Sequence, residues 1–347
     1  MKITPWNGKP VTKAGVYSEV PLDVYHSQEI CDGPSVSSSG LRRILTDNGG
    51  SPAHFWCEWS ANPNRIEAAE SAALTFGRAA HHLLLGQTFF SVLFVVRPEE
   101  IPDKAGVLTS WDGRKTVCQD WLKLAARGGF RWDTKLLKWV EAPGQPPLTV
   151  IKGEEAKDII GIGEAITKHG TSRRKDEKLI CARELLVGEV ECSMFWKDAT
   201  GLWLKCRPDA IPTDSGDFAD LKTTTSVGWN DLTRTIGDYA YHQQAALIFE
   251  GSRIAAKIEP SSFTLVFVEK KPPYCVSPVV LRPEDIALGN RQNRRALDII
   301  ATCIERGEWP GPGDEQIVSI GIPEWYEKMS KRNCDEFDNE RKQRSAA

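Results

Sequence analysis

Apolar and polar residues alternate most clearly between Val187 and Lys222. Successive side chains of a strand point to opposite faces, so this alternation predicts strands. A first strand over residues 187–196 puts Val190, Cys192, Met194 and Trp196 on one face and Glu191 on the other. The turn Lys197-Asp198-Ala199-Thr200-Gly201 closes it. A second strand over 202–210 gathers Leu202, Leu204 and Cys206 on one face and turns Arg207 and Asp209 away. A third over 217–222 aims Asp220 and Lys222 one way and Ala219 and Leu221 the other. Further strands are predicted at 262–270 and 275–281.

Helical spacing frames these strands. Ser37, Ser38 and Ser39 precede Leu41, Ile44 and Leu45 and open a helix. A short helix is predicted at 51–60 and an alanine- and leucine-rich one at 67–86, followed by an extended segment at 89–100. Helices are also predicted at 153–168, from 226 or 231 to 249, and over 282–306 with Pro283 near the first turn. In the 231–249 helix, Gly237, Tyr241, Gln244 and Ile248 share a face. Residues 1–24 read as irregular, and 101–150 as the least regular part, holding a helical stretch and a small hairpin. Trp111, Trp121, Trp132 and Trp139 there are read as a satellite core, with a base-stacking platform as the alternative. Residues 329–347 are charged and expected to be disordered. Strands interleaved with helices make the fold class α/β.

The hydrophobic content of 41% is enough for a sizeable core. A net charge of −3 argues against a protein that coats DNA by bulk attraction, but leaves room for an enzyme with a local basic channel. The first residues lack an apolar leader core, and no apolar run approaches membrane-spanning length. A soluble, cytoplasmic protein with no membrane partner is expected. The nine cysteines include no C-x-x-C pair, which disfavours a zinc ribbon; Cys192 and Cys206 fit the core as thiols.

Glu191, Asp209, Asp220 and Lys222 stand out in this apolar run. Carboxylates on a half-buried sheet repel one another and lose hydration unless a cation joins them. Oxygen ligands of this kind suit Mg2+ or Mn2+. His81, by its helical position alone, is more often a packed or surface residue than a ligand, and His82 beside it is given that ordinary role. The serines at 37–39 read as an N-cap; phosphate binding with Arg42 and Arg43 nearby is compatible with it. Arg173, Arg174 and Lys175 read as a solvated loop.

Pro208-Asp209 followed by Asp220-Leu221-Lys222 resembles the motif of the PD-(D/E)XK nuclease superfamily. A longer ordered series resembles the RecE/exonuclease VIII family of phage and prophage recombination exonucleases. It runs through Tyr25-His26, the serines at 37–39, Ser51-Pro52-Ala53, Gly77-x-Ala79-x-His81, Glu191-x-Ser193, Arg207-Pro208-Asp209, Asp220-Leu221-Lys222-Thr223-Thr224, Tyr241-His242-x-Gln244-Ala245 and Glu308-Trp309-Pro310. The likeness spans about residues 20–325, with 101–150 divergent or inserted.

That resemblance implies a restriction-endonuclease-like core, a mixed central β-sheet flanked by helices with an N-terminal helical elaboration, in one domain over 25–328. It implies His81, Glu191, Asp209 and Asp220 at a Mg2+ (or Mn2+) site, Lys222 as the catalytic lysine, and Gln244 positioning a catalytic group. Ser37, Ser39, Arg42, Tyr241 and Arg207 would contact DNA. The implied substrate is linear double-stranded DNA, degraded 5′ to 3′ to leave a 3′ single strand for a RecT-like annealing protein, by a ring-shaped homo-oligomer in a bacterial host cell. Some relatives hold an iron–sulfur cluster, for which Cys275, Cys303 and Cys334 are too scattered. The alternatives are a structure-specific endonuclease or repair nuclease of the same superfamily, and a non-catalytic DNA-binding protein. A small-molecule hydrolase lacks support from any glycine-rich phosphate loop, nucleophile elbow or zinc motif.

Overall fold

The structure is a computed structural model that describes residues 1–66, 71–85, 90–171, 180–213, 215–314 and 319–346. Residues 173–175 lie outside the described residues, as do parts of the predicted helix at 67–86. The chain forms two compact units, Met1–Trp309 and Pro310–Ala347.

In the first unit a parallel pair forms the framework. Asp217–Thr224 and Ser262–Glu269 run parallel, and Val276–Val280 joins antiparallel on the far side. Parallel neighbours need a crossover. Here it consists of the helices Trp229–Asp238 and Tyr241–Gly251 and the turn Ser252–Ala256. The sequence reading expected one helix from 231 to 249. Ala240 instead adopts a left-handed conformation, φ 49°, and divides it in two.

Alternation along Asp217–Thr224 holds as predicted. Ala219 and Leu221 join Val266 and Val268 in a core closed by Phe76, Ala79 and Ala80 of helix Ala72–Leu85 and by Ile159 and Ile162 of helix Gly153–Lys168. Phe218, on the opposite face, enters a larger core with Leu247, Phe263 and Leu297. Helices thus cover both faces of this sheet, as a mixed α/β architecture requires.

The single central sheet that was predicted is divided. A second sheet of five strands has the order Ile3–Pro5, Gly15–Ser18, Ser193–Lys197, Trp203–Cys206, Ser35–Val36. The N-terminal segment, expected to be irregular, therefore supplies two strands of it. Cys192, Met194, Trp196, Leu204 and Cys206 pack into the larger core, as the alternation required.

The predicted strands 187–196 and 202–210 each break in two. Ser193–Lys197 pairs with Trp203–Cys206, while Glu189–Val190 pairs separately with Ala210–Ile211. Met194 faces Cys206 and Val190 faces Ala210, so the register stays in step across the gap. Glu191 therefore comes opposite Asp209 where the ladder is interrupted. Glu191 has φ 56°, a left-handed conformation that residues with a Cβ rarely adopt and that tends to occur at functional sites.

Residues 89–100, expected to be extended, begin with the short helix Phe90–Leu93 and then form the strand Phe94–Val96, paired with Thr149–Ile151. Trp121 is buried against Trp111, Trp132 and Trp139, the satellite core expected there.

The second unit holds the helix Glu324–Ala346, where a disordered tail was expected. Lys328–Glu324, Lys331–Glu327, Arg332–Glu336 and Arg344–Glu340 pair at i,i+4 along it, the spacing at which helical charges support one another. No helix among the described residues is long and apolar enough to cross a membrane.

Candidate active site

Four elements bring the predicted chemistry together. Asp209 leaves the interrupted hairpin, Asp220 and Lys222 project from one face of Asp217–Thr224, His81 comes from helix Ala72–Leu85, and Gln244 from helix Tyr241–Gly251. Asp209 is clamped on both oxygens: Oδ1 is 3.1 Å from His81 Nδ1, and Oδ2 accepts the Leu221 N–H at 2.5 Å. Asp220 Oδ1 accepts from Gln244 Nε2 at 3.0 Å. Lys222 Nζ pairs with Asp220 Oδ2 and lies 4.7 Å from the centre of the Tyr241 ring.

The electrostatics separate the two aspartates. Burial alone would raise the pKa of Asp209, but His81, Lys222 and the Leu221 N–H outweigh it and hold the carboxyl below its ordinary value. Burial and the neighbouring Asp209 raise that of Asp220, against the pull of Lys222. Burial opposes charge on Lys222 and on His81, yet the carboxylates around them raise both. One carboxylate kept ionised beside one driven toward neutrality is an arrangement met in acid–base sites.

Asp220 Oδ2 is buried and lacks an aligned hydrogen bond, although Lys222 Nζ lies within ion-pair reach. A buried carboxylate oxygen without such a bond, beside a second carboxylate, fits a hard divalent cation. The carboxylates available to one are Asp209 and Asp220, with His81 beside Asp209. Among the described residues, no three His, Cys, Asp or Glu side chains stand as a ready ligand cluster; Lys222 carries the positive charge next to Asp220 instead.

Glu191 meets a histidine of its own. Its Oε1 is 3.5 Å from Nδ1 of His82, the histidine that the sequence reading set aside. The other ring nitrogen of His82 is buried without a hydrogen-bond partner. Its position on the helix one residue after His81 was the only signal, and it favoured a packing role.

The residues expected to touch DNA divide. Tyr241 borders Lys222. Arg207 donates to the Val20 carbonyl at 3.0 Å and so ties down the N-terminal segment. Arg42 donates to the Tyr239 carbonyl at 2.7 Å. Ser37 occupies the N-cap of helix Ser38–Arg43, but its hydroxyl bonds Ser39 Oγ at 3.1 Å rather than capping the helix. Both serines line a cleft of about 540 Å³, together with His26, Arg43, Arg65 and Lys205.

It is thus Arg43, paired with Glu58, that accompanies the serines there. Lys205 was missed. It is 3% exposed, donates to the Ser27 carbonyl, and is pushed down to about 8 by burial. The signal was present: Lys205 shares the alternation of Arg207 and Asp209 within an apolar strand.

Residues 164–317 match a family described as a PDDEXK-like domain of unknown function, DUF3799. The matched span holds Glu191, Asp209, Asp220, Lys222 and Gln244, and excludes His81. The likeness to a PDDEXK-like domain is confined to that span. Among solved structures, the chain is similar to a protein from Eubacterium rectale provisionally named an exonuclease, with a TM-score of 0.52 and 13% identity over 88% of this chain and 96% of that one. No curated protein matches the chain. The PDDEXK-like core thus lies in the C-terminal half, and the N-terminal half adds His81 to it.

Proposed function

We propose that this protein is a metal-dependent exodeoxyribonuclease that hydrolyses the phosphodiester bonds of linear double-stranded DNA. The observation that carries the reading is the convergence of Asp209, Asp220 and Lys222, the PD-(D/E)XK set, with His81 and Gln244 on a PDDEXK-like fold.

Each residue has a task in this reading. Lys222 keeps its charge, because Asp220 and Asp209 outweigh its burial, and places it where negative charge develops on the phosphate. Gln244 fixes the orientation of Asp220, and the Leu221 N–H and His81 fix that of Asp209. Mg2+ or Mn2+ on Asp209, Asp220 and His81 would supply a water of lowered pKa and offset phosphate charge. Glu191, opposite Asp209 at the strand break and paired with His82, is the fourth residue proposed for the ion.

Cleavage from 5′ ends, a 3′ single strand passed to a RecT-like annealing protein, a ring-shaped homo-oligomer and a phage-type origin in a bacterial cytoplasm complete the proposal. Those parts rest on the resemblance of the ordered motifs to the RecE/exonuclease VIII family.

The test compares linear and covalently closed circular duplex of one sequence with Mg2+. Loss of the linear form and survival of the circle is expected. Rapid cutting of the closed circle would make the enzyme an endonuclease instead.

A further inference from the structure

An aromatic ladder leads outward from the candidate catalytic lysine. Lys222 Nζ lies over the Tyr241 ring, and the Tyr239 ring stacks on Tyr241 with centroids 5.6 Å apart and planes 13° from parallel. Tyr241 is partly buried, whereas Tyr239 is 55% exposed. The outer rung of the ladder is therefore open to solvent while its inner rung touches the site.

Local backbone geometry does not produce this stack by default. Residues two apart on a continuous helix point about 200° from each other and do not meet. Here Ala240, between the two tyrosines, takes the left-handed conformation that ends one helix and begins the next. A residue with a Cβ adopts it at a cost, and Ala240 is itself buried. Arg42, from helix Ser38–Arg43, holds the turn by donating to the Tyr239 carbonyl. Strain of this kind at the edge of a candidate site is a reason to ask what it positions.

A half-exposed flat ring, held parallel to a second ring beside a lysine poised for a phosphate, suits a nucleobase. Every base has a π-face, so such stacking tolerates any sequence. We propose that Tyr239 is the stacking platform for an unpaired base next to the scissile phosphate, so that the duplex end is melted as it enters the site. This inference rests on the nuclease reading above and adds to it a positioning residue and the state of the substrate.

The experiment uses the full chain and two linear duplexes, one with ordinary ends and one whose terminal nucleotides are abasic. Wild type, Tyr239→Ala, Tyr239→Phe and Tyr239→Trp are compared by kcat/KM with Mg2+. Their affinities are compared by fluorescence anisotropy in Ca2+, with the dye far from the end. Tyr239→Ala is expected to lose about tenfold in both readouts on the ordinary duplex, the scale of one base–aromatic stack. It should lose nothing relative to wild type on the abasic-ended duplex, and Tyr239→Phe and Tyr239→Trp should behave like wild type.

An equal loss on both duplexes, or no loss on either, overturns the proposal. Should the alanine variant fail to fold, Tyr239→Leu takes its place. A wild type that binds ends but never cleaves would sink the nuclease reading, while the anisotropy arm would still decide the stacking. A wild type that shows no preference for base-bearing over abasic ends sinks the stacking alone.

Discussion

Gln244 Nε2 donates to Asp220 Oδ1 at 3.0 Å, and so ties the strand that carries Lys222 to the crossover helix that follows it. Asp220 is thereby held from the sheet by its backbone and from above by an amide. Gln244→Ala is expected to lower kcat on linear duplex by on the order of tenfold with little change in KM, since the residue orients a carboxylate rather than binding DNA. Gln244→Glu should lose more, because it replaces the donor with a third carboxylate. Steady-state kinetics on both variants checks this; a Gln244→Glu as active as wild type would remove Gln244 from the site.

The raised pKa of Asp220 has a consequence for stability. A carboxyl raised in the folded state favours folding when protonated; that contribution is full below its unfolded value and is lost as pH rises through the folded one. Asp220→Asn cannot ionise and escapes that loss, so in chelator its Tm should fall less than that of wild type as pH is raised. Mg2+ or Mn2+ should raise the Tm of wild type and leave that of an Asp209→Asn, Asp220→Asn double variant unmoved, as ligand linkage requires. Differential scanning fluorimetry across pH and across a metal titration measures both, and equal metal shifts in the two proteins would place the ion elsewhere.

Asp198 gives a pH dependence away from the site. Burial would raise its pKa, but the N–H and hydroxyl of Thr200 and the guanidinium of Arg294 outweigh that and hold it low. A depressed carboxyl stabilises the fold above its unfolded value, about 3.9, and ceases to do so as pH falls through the folded one. Asp198→Asn should cost on the order of 1–3 kcal/mol at pH 7 and flatten the loss of Tm below about pH 4. Parallel acid limbs in the two proteins would count against this assignment.

Two glycines separate packing from propensity. A Cβ on Gly289 would come 2.5 Å from the His242 carbonyl oxygen, where helices Tyr241–Gly251 and Pro283–Arg306 approach closely. Gly289→Ala should therefore cost about 1–3 kcal/mol. Gly237 meets nothing within 4 Å in the helix Trp229–Asp238, so Gly237→Ala should be neutral or stabilise by up to about 1 kcal/mol. Urea unfolding of the two variants reads the contrast directly.

Much of the site was legible because strand alternation is a strong constraint. Ala219 and Leu221 enter one core and leave Asp220 and Lys222 on the opposite face, so a two-residue period was enough to orient them. His81 was legible only through the resemblance, since its partner Asp209 lies far away in the chain. The break at Glu191 was not, because a single left-handed residue leaves no mark on hydrophobic spacing.

The N-terminal strands escaped for a related reason. Ile3–Pro5 and Gly15–Ser18 are short, and the second pairs with Ser193–Lys197, a partner nearly the whole first half of the chain away. Ala240 divides the crossover helix without itself being a glycine or proline. Lys205 did carry a readable signal, a lysine on the Asp209 face of an apolar strand.

The central claim is that these side chains hydrolyse DNA. The most direct test is release of acid-soluble nucleotide from uniformly labelled linear duplex with Mg2+, for wild type, Lys222→Ala and Asp220→Asn, each checked for an unchanged fold by circular dichroism. Wild type should release label, and each folded variant should be slower by on the order of 100-fold or more. A wild type that releases none, or variants that match it, would contradict the account.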